Sequence, residues 1–172
     1  MGPISKQRLD KVHPVLRDRI VILETQLGVE LAVVQGDRSE TEQAALYAQG
    51  RSPLDVVNHL RALVGWAGLT SKENVARVTK ARPLYSWHNF AMAVDVAPEN
   101  PDGSIDWDSK HPVWQDMIAK GEALGLTSGI SFEDQPHFQL TGRFPVTPTD
   151  EVRALFASGG IQAVWDAAGI SA

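Results

Sequence analysis

Between Pro14 and Leu27, apolar residues recur at helical spacing: Val15, Leu16, Ile20, Leu23 and Leu27 share a face, and Gly28 is placed to end the helix. The period then shortens. From Val29 to Gly36 the positions Val29, Leu31 and Val33 alternate, which predicts a strand. Ser39 and Glu42 are spaced as a capping box, each side chain reaching the other's backbone amide, so a helix is expected to about Gln49. A further helix is expected after Ser52 and Pro53, with Val56, Val57, Leu60, Leu63 and Val64 as its apolar stripe. Met92 to Ala97 reads as a strand, and Pro98, Pro101 and Gly103 signal turns. His111 and Pro112 open a helix whose Trp114, Ile118 and Leu124 face inward, and Leu126 to Phe132 and His137 to Leu140 read as short strands. A last helix starts near Asp150, breaks at Gly159 and Gly160, and resumes through Ile161, Val164 and Trp165 to Gly169.

These elements mix helices with short strands, and the expected fold is α+β: one compact domain over residues 1–172, a small antiparallel sheet flanked by helices, with a core at about 12–140 and a helical tail at 147–170. At 172 residues and 43% hydrophobic content the chain suffices for one well-buried core and is short for two domains. A net charge of −5 without a basic cluster along one stretch disfavours nucleic acid as partner. The chain has no cysteine, so any metal site must use His, Asp or Glu. The N-terminal stretch lacks the apolar core of a signal peptide, and no apolar run is long enough to span a bilayer, so a protein made in the cytoplasm, without stable membrane association, is expected. A monomer is the default.

Ser86 to Asp95, S-W-H-N-F-A-M-A-V-D, sets His88 seven positions before Asp95, and His137 follows in D-Q-P-H-F-Q-L. Imidazole and carboxylate suit a borderline cation such as zinc. One helix would hold His88 and Asp95 about 10 Å apart along its axis, and a straight strand about 23 Å. A shared ion therefore requires a turn between them, most easily at Asn89. The alternative reading is a turn histidine beside an ordinary strand-end carboxylate. Alternation places His137 and Gln139 on one face and Phe138 on the other. Arg38 lies at a strand-to-helix junction, where binding groups gather. His59 and His111 read as a packing residue and a surface residue.

Together the two blocks resemble the signature of the zinc peptidases that include D-alanyl-D-alanine carboxypeptidases and phage L-alanyl-D-glutamate endopeptidases. Ser86, His88, Ala93 and Asp95 match the first block, Asp134, Pro136 and His137 the second, and the fit extends from about Val12 to Leu140. Two departures stand out: Ala91 replaces a usual Gly in the first block, and Ser128, Gly129 and Ile130 replace a frequent Trp-Gly-Gly run.

The resemblance implies one zinc ion in a cleft on the sheet, held by His88, Asp95 and His137 with the fourth position open for water. It points to Asp134 as general base, with Glu133 as its adjacent rival. It also places Gly36, Arg38, Ser39 and Gln43 along the cleft, Arg38 to hold a substrate carboxylate or the oxyanion and Gln43 and Ser86 to contact substrate; a solvated loop arginine is the competing reading of Arg38. The implied activity is peptidoglycan hydrolysis, at the L-alanyl-D-glutamate bond by resemblance to the phage branch, by an endolysin that a holin-type partner lets reach the wall. A D,D-carboxypeptidase of the same family and a non-catalytic wall-binding module are the alternatives.

Overall fold

The computed structural model describes residues 1–171. Helices α1 (Pro3–Leu9) and α2 (Pro14–Leu27) precede strand β1 (Leu31–Gln35), and helices α3 (Glu40–Ala48) and α4 (Leu54–Leu63) follow it. After a long irregular stretch, a 3-10 turn (Trp87–Phe90) leads into β2 (Ala93–Pro98). Helix α5 (Pro112–Ala123), the short β3 (Thr127–Ser128), a 3-10 turn (Gly129–Phe132), β4 (His137–Gln139) and α6 (Asp150–Ala168) complete the chain. The four strands form one antiparallel sheet in the order β1-β2-β4-β3, as the α+β expectation required.

The main core lies between the sheet and the helices α1, α2 and α5, with Leu16, Ile20, Leu23, Leu31, Val33, Val94, Val96, Trp114, Met117 and Phe138 buried together. Helix α2 ends at Gly28 in the left-handed conformation, and Ser39 and Glu42 form the expected capping box. A second cluster joins Trp87, Phe90 and Met92 to Val152, Val164 and Ala168 of α6. The tail thus docks against the turn that precedes β2, and Trp165 Nε1 donates to the Phe90 carbonyl at 2.9 Å. Gly159 and Gly160 leave helical geometry, kinking α6 where the sequence predicts a break.

Three local expectations are revised. The α4 stripe faces largely outward: Val57 is buried, whereas Val56 and Leu63 are exposed. The strand expected over residues 126–132 stops at Ser128, because the chain winds into a 3-10 turn whose Gly129 carbonyl accepts from the Asp134 amide at 3.0 Å. The reversal between His88 and Asp95 is completed by Ala91 rather than Asn89, at φ 53° and ψ 33°.

The left-handed conformation costs an alanine about 1 kcal/mol, against which Ala91 buries a methyl group worth about 0.8 kcal/mol. Replacing Ala91 by Gly is therefore expected to change stability by no more than about 1 kcal/mol, with Gly favoured where strain outweighs the lost methyl. Chemical denaturation midpoints measure the balance, and a loss well beyond that figure would contradict it.

His13 ties this region together. It caps α2 by accepting from the Val15 amide, its own amide donates to the Ala91 carbonyl at 2.8 Å, and its ring meets Trp165 edge-on at 4.9 Å. Burial first, and the nearby Arg19 charge second, push its pKa below the usual value. A histidine of lowered folded pKa binds its proton better in the unfolded chain, so stability is complete above the unfolded value of about 6.5 and declines as pH falls below it. A His13→Asn variant keeps a capping oxygen and loses this titration. Its melting temperature should drop less than that of the wild type between pH 7.5 and 5.5.

Candidate active site

Strand register brings two distant residues together. In the β2–β4 pair Asp95 lies directly opposite His137, a cross-strand neighbour on the same face. His88 arrives from the preceding 3-10 turn, which the left-handed Ala91 folds back over the strand. The result is a tight triangle: His88 Nε2 is 3.2 Å from Asp95 Oδ1 and 3.2 Å from His137 Nδ1, which is 3.1 Å from the same oxygen. These three residues form a group able to hold a metal ion, and all three line the open cleft.

The outward nitrogens define the chemistry of the inward ones. His88 Nδ1 lies 2.7 Å from the Gly36 carbonyl, which can only accept, so this nitrogen carries the proton and Nε2 presents a lone pair. His137 Nε2 lies 3.0 Å from Gln139 Oε1. The orientation of that amide follows from its other end, where Gln139 Nε2 donates to the Val146 carbonyl at 2.8 Å. His137 therefore also turns a lone pair inward. With both rings neutral, two imidazole lone pairs and a carboxylate oxygen converge with no donor among them, an arrangement that repels itself unless a cation, or a proton in its place, sits between. Zinc bonds of about 2.0–2.1 Å in tetrahedral geometry place ligand atoms about 3.3 Å apart, close to this triangle, so the residues fit the ion.

Charges around the site respond to this crowding. Burial acts to raise the Asp95 pKa, but the electrostatic influence and hydrogen bonds of the neighbouring His88 and His137 outweigh it and hold the carboxyl far below the usual range. Burial likewise acts to lower that of His137, and its bond to Asp95 overcomes the effect and raises it. Asp134 opens to the cleft, yet partial desolvation and then the Asp95 charge push its pKa up against the opposing His137, His88 and Arg38.

Asp134 owes its position to the turn before β4. Its amide donates to the Gly129 carbonyl at 3.0 Å, and its own carbonyl accepts from the His137 amide at 3.2 Å. The two backbone segments touch so closely that a Cβ at residue 129 would lie 2.0 Å from the Asp134 carbonyl oxygen, which only glycine permits. Glu133, its neighbour, adopts a left-handed conformation and pairs with Lys80 at 3.0 Å across the cleft mouth.

Arg38 is nearly buried, donates to Gln43 Oε1 at 2.9 Å and lies 3.6 Å from Asp95 Oδ2. It is no solvated loop residue: it balances the carboxylate through Oδ2, the oxygen outside the metal triangle, and lines the same cleft. Burial lowers its pKa, with Asp95 and Asp134 opposing. Gln43 departs from the expectation of substrate contact. It is 0% exposed and spends its amide on Arg38, Thr79 and the Ala81 carbonyl, so it positions Arg38 from behind. Ser86 lines the cleft and makes no capping bond with its side chain.

No protein-family model matches the chain. Its sequence is 29% identical over 142 residues to the peptidoglycan L-alanyl-D-glutamate endopeptidase CwlK of Bacillus subtilis (strain 168), covering 75% of this chain and 73% of that protein. Among solved structures it resembles the crystal structure of the Serratia marcescens L-Ala D-Glu endopeptidase ChiX, with a TM-score of 0.52, 22% identity, and coverage of 83% of this chain and 90% of the other; that likeness speaks for the fold. The chain is thus similar to named peptidoglycan peptidases, to one in sequence and to the other in fold. It is a hydrolytic enzyme, as the resemblance read from the two sequence blocks implied.

In this chain, sequence reasoning identified the three converging residues but missed Gln139 and Gly129. The alternation that put Gln139 on the face of His137 was the available signal; the bond between them depends on the rotamers. Outer partners of metal-binding histidines are worth about 10- to 100-fold in metal affinity. Gln139→Ala is expected to weaken zinc binding by that factor with secondary structure unchanged, as read by competition with a chromogenic chelator. Unaltered affinity would remove Gln139 from the site.

Proposed function

We propose that the chain is a zinc-dependent L-alanyl-D-glutamate endopeptidase that cuts the stem peptides of peptidoglycan and serves a phage or prophage as an endolysin. One observation carries the reading: three potential ligand atoms converge at 3.1–3.2 Å in an open cleft that also contains a carboxylate outside the triangle, Asp134. The choice of bond is supported by the two relatives, both of which are named for it.

His88, Asp95 and His137 would hold the ion. When bound, zinc supplies Lewis acidity toward a carbonyl oxygen and a water of lowered pKa. Asp134, with its raised pKa, takes the proton of the attacking water and returns it to the leaving amine. Arg38, fixed between Gln43 and Asp95, keeps a positive charge near the carbonyl that becomes an oxyanion. Ser86 offers its hydroxyl to the substrate backbone. The enzyme acts as a monomer, accumulates in the host cytoplasm and reaches the wall through holes made by a holin-type partner.

The test is incubation of the purified protein with Gram-negative peptidoglycan, with and without a chelator, and mass spectrometry of the released fragments. New L-alanine carboxyl ends and D-glutamate amino ends that vanish with chelator and return with zinc are expected. Free D-alanine would assign a carboxypeptidase instead, and bound zinc without any product would leave a binding module.

A further inference from the structure

The cleft encloses about 1170 Å³ and is charged in a way the whole chain is not. In a protein of net charge −5, Arg38, Arg51, Arg77, Lys80 and Arg82 all line it. The acids facing them are Asp95, Glu133 and Asp134, of which Asp95 is held by the histidines and Arg38, and Glu133 by Lys80. Positive charge is left over, and zinc would add to it.

Residues 77–82 supply three of these cations from a stretch without regular secondary structure. Its backbone is nonetheless fixed. The fully buried Gln43 donates to the Ala81 carbonyl, and Arg51 donates to the Thr79 carbonyl, both at 2.7 Å. Gly50 packs under Ala76 so closely that a Cβ there would lie 2.7 Å from the Ala76 carbonyl carbon. Arg51 is itself held, by a bond to the Tyr47 carbonyl and by lying 4.2 Å over the Tyr47 ring. The side chains this frame presents are unspent: among the described residues Arg77 has no hydrogen-bond or ion-pair partner, and Arg82 meets only the face of Tyr85, at 4.5 Å. Guanidinium groups anchored by their backbone and lacking partners suit planar carboxylates, which they bind in two-pronged fashion. A polyphosphate chain would meet Glu133 and Asp134 across the same cleft, which favours a short ligand with separate carboxylates.

We propose that Arg77 and Arg82, backed by the fixed charge of Arg51, form an anionic subsite that receives the free carboxylates of the stem peptide. The inference rests on the endopeptidase reading and deepens it, since a glutamate in the substrate keeps one carboxylate outside the scissile bond. It makes the wall at residues 77–82 a determinant of substrate charge, separate from the metal triangle and Asp134.

The test uses the zinc-loaded enzyme on a muropeptide with free stem carboxylates and on the same muropeptide with those groups amidated. A charge-assisted pair corresponds to about tenfold or more in binding. Amidation is expected to raise KM about tenfold with kcat little changed, and the Arg77→Gln, Arg82→Gln double variant to show the same rise and no response to amidation. The corresponding Lys variants should recover part of the effect, and high salt should shrink it. A double variant with wild-type KM on both substrates would overturn the proposal. Calorimetric binding to the Asp134→Asn protein separates the two readings. A roughly tenfold loss of muropeptide affinity caused by the arginine substitutions in that protein, when the wild-type enzyme cuts no L-alanyl-D-glutamate bond, would sustain the subsite and overturn the bond assignment; equal affinity with and without them would overturn the subsite.

Discussion

Replacing Asp134 by Asn is expected to lower peptidoglycan cleavage by about 10²- to 10⁴-fold, the usual contribution of a positioned general base, while zinc stays bound. Asn has nearly the same shape, and the bonds that hold this turn are made by the backbone of residue 134, so the turn from Gly129 to His137 should persist. It cannot take a proton. The raised pKa of Asp134 sets the pH dependence: the ionised form is required, so the acidic limb of kcat/KM should lie above the ordinary aspartate value and disappear into the residual activity of the variant. Glu133 provides the internal comparison. It is exposed, paired with Lys80 and turned by its left-handed backbone, and Glu133→Gln should stay within a few-fold of wild type. Equal losses in both variants would mean that the carboxylates had been assigned wrongly. Rates on purified muropeptides, with metal content measured alongside, distinguish the outcomes.

The second large effect concerns the metal. An ion bound to the folded state alone stabilises it by about 4 kcal/mol at a thousandfold excess over Kd, which for a chain of this size corresponds to about 8–16 °C in melting temperature. Adding zinc to chelator-treated protein is expected to produce a shift of that order together with recovered activity. His88→Ala should abolish both, because only two ligands remain, with the Nδ1 bond to Gly36 lost as well. The pH dependence has a definite sign. The metal-free protein holds a proton at His137 to higher pH than a free imidazole would, since that proton answers the Asp95 carboxylate in the place of a cation. Zinc must displace it, so affinity should fall as pH is lowered through the raised His137 value, with proton release on binding. Calorimetry in buffers of different ionisation enthalpy measures this release. Metal affinity independent of pH from 6 to 8 would contradict the arrangement.

Much of the architecture was legible from local pattern because local physics produces it. The capping box at Ser39 and Glu42, the glycine stop at Gly28 and the break at Gly159 and Gly160 each depend on residues within a few positions of one another. The outward-facing α4 stripe was misread because periodicity reports which residues share a face; whether a partner element lies against that face depends on distant chain. The three candidate metal ligands were recognisable by type and order, and the requirement for a turn between His88 and Asp95 followed from chain geometry alone.

Tertiary structure decided the rest. Strand register, a pairing between segments more than forty positions apart, sets Asp95 opposite His137 and closes the triangle. The proton positions on both histidines depend on a carbonyl at Gly36 and an amide at Gln139 that is itself oriented by Val146. Gln43, expected to touch substrate, is buried behind Arg38 because α3 packs there. The cationic wall at residues 77–82 escaped a search for basic stretches because its companions, Arg38 and Arg51, lie far away in sequence and join it only in the folded cleft. The sequence by itself determined which chemical groups the protein possesses and the local elements that carry them; long-range packing, in which residues meet without any sequence signal of their pairing, decided which of those groups face one another and which face the substrate.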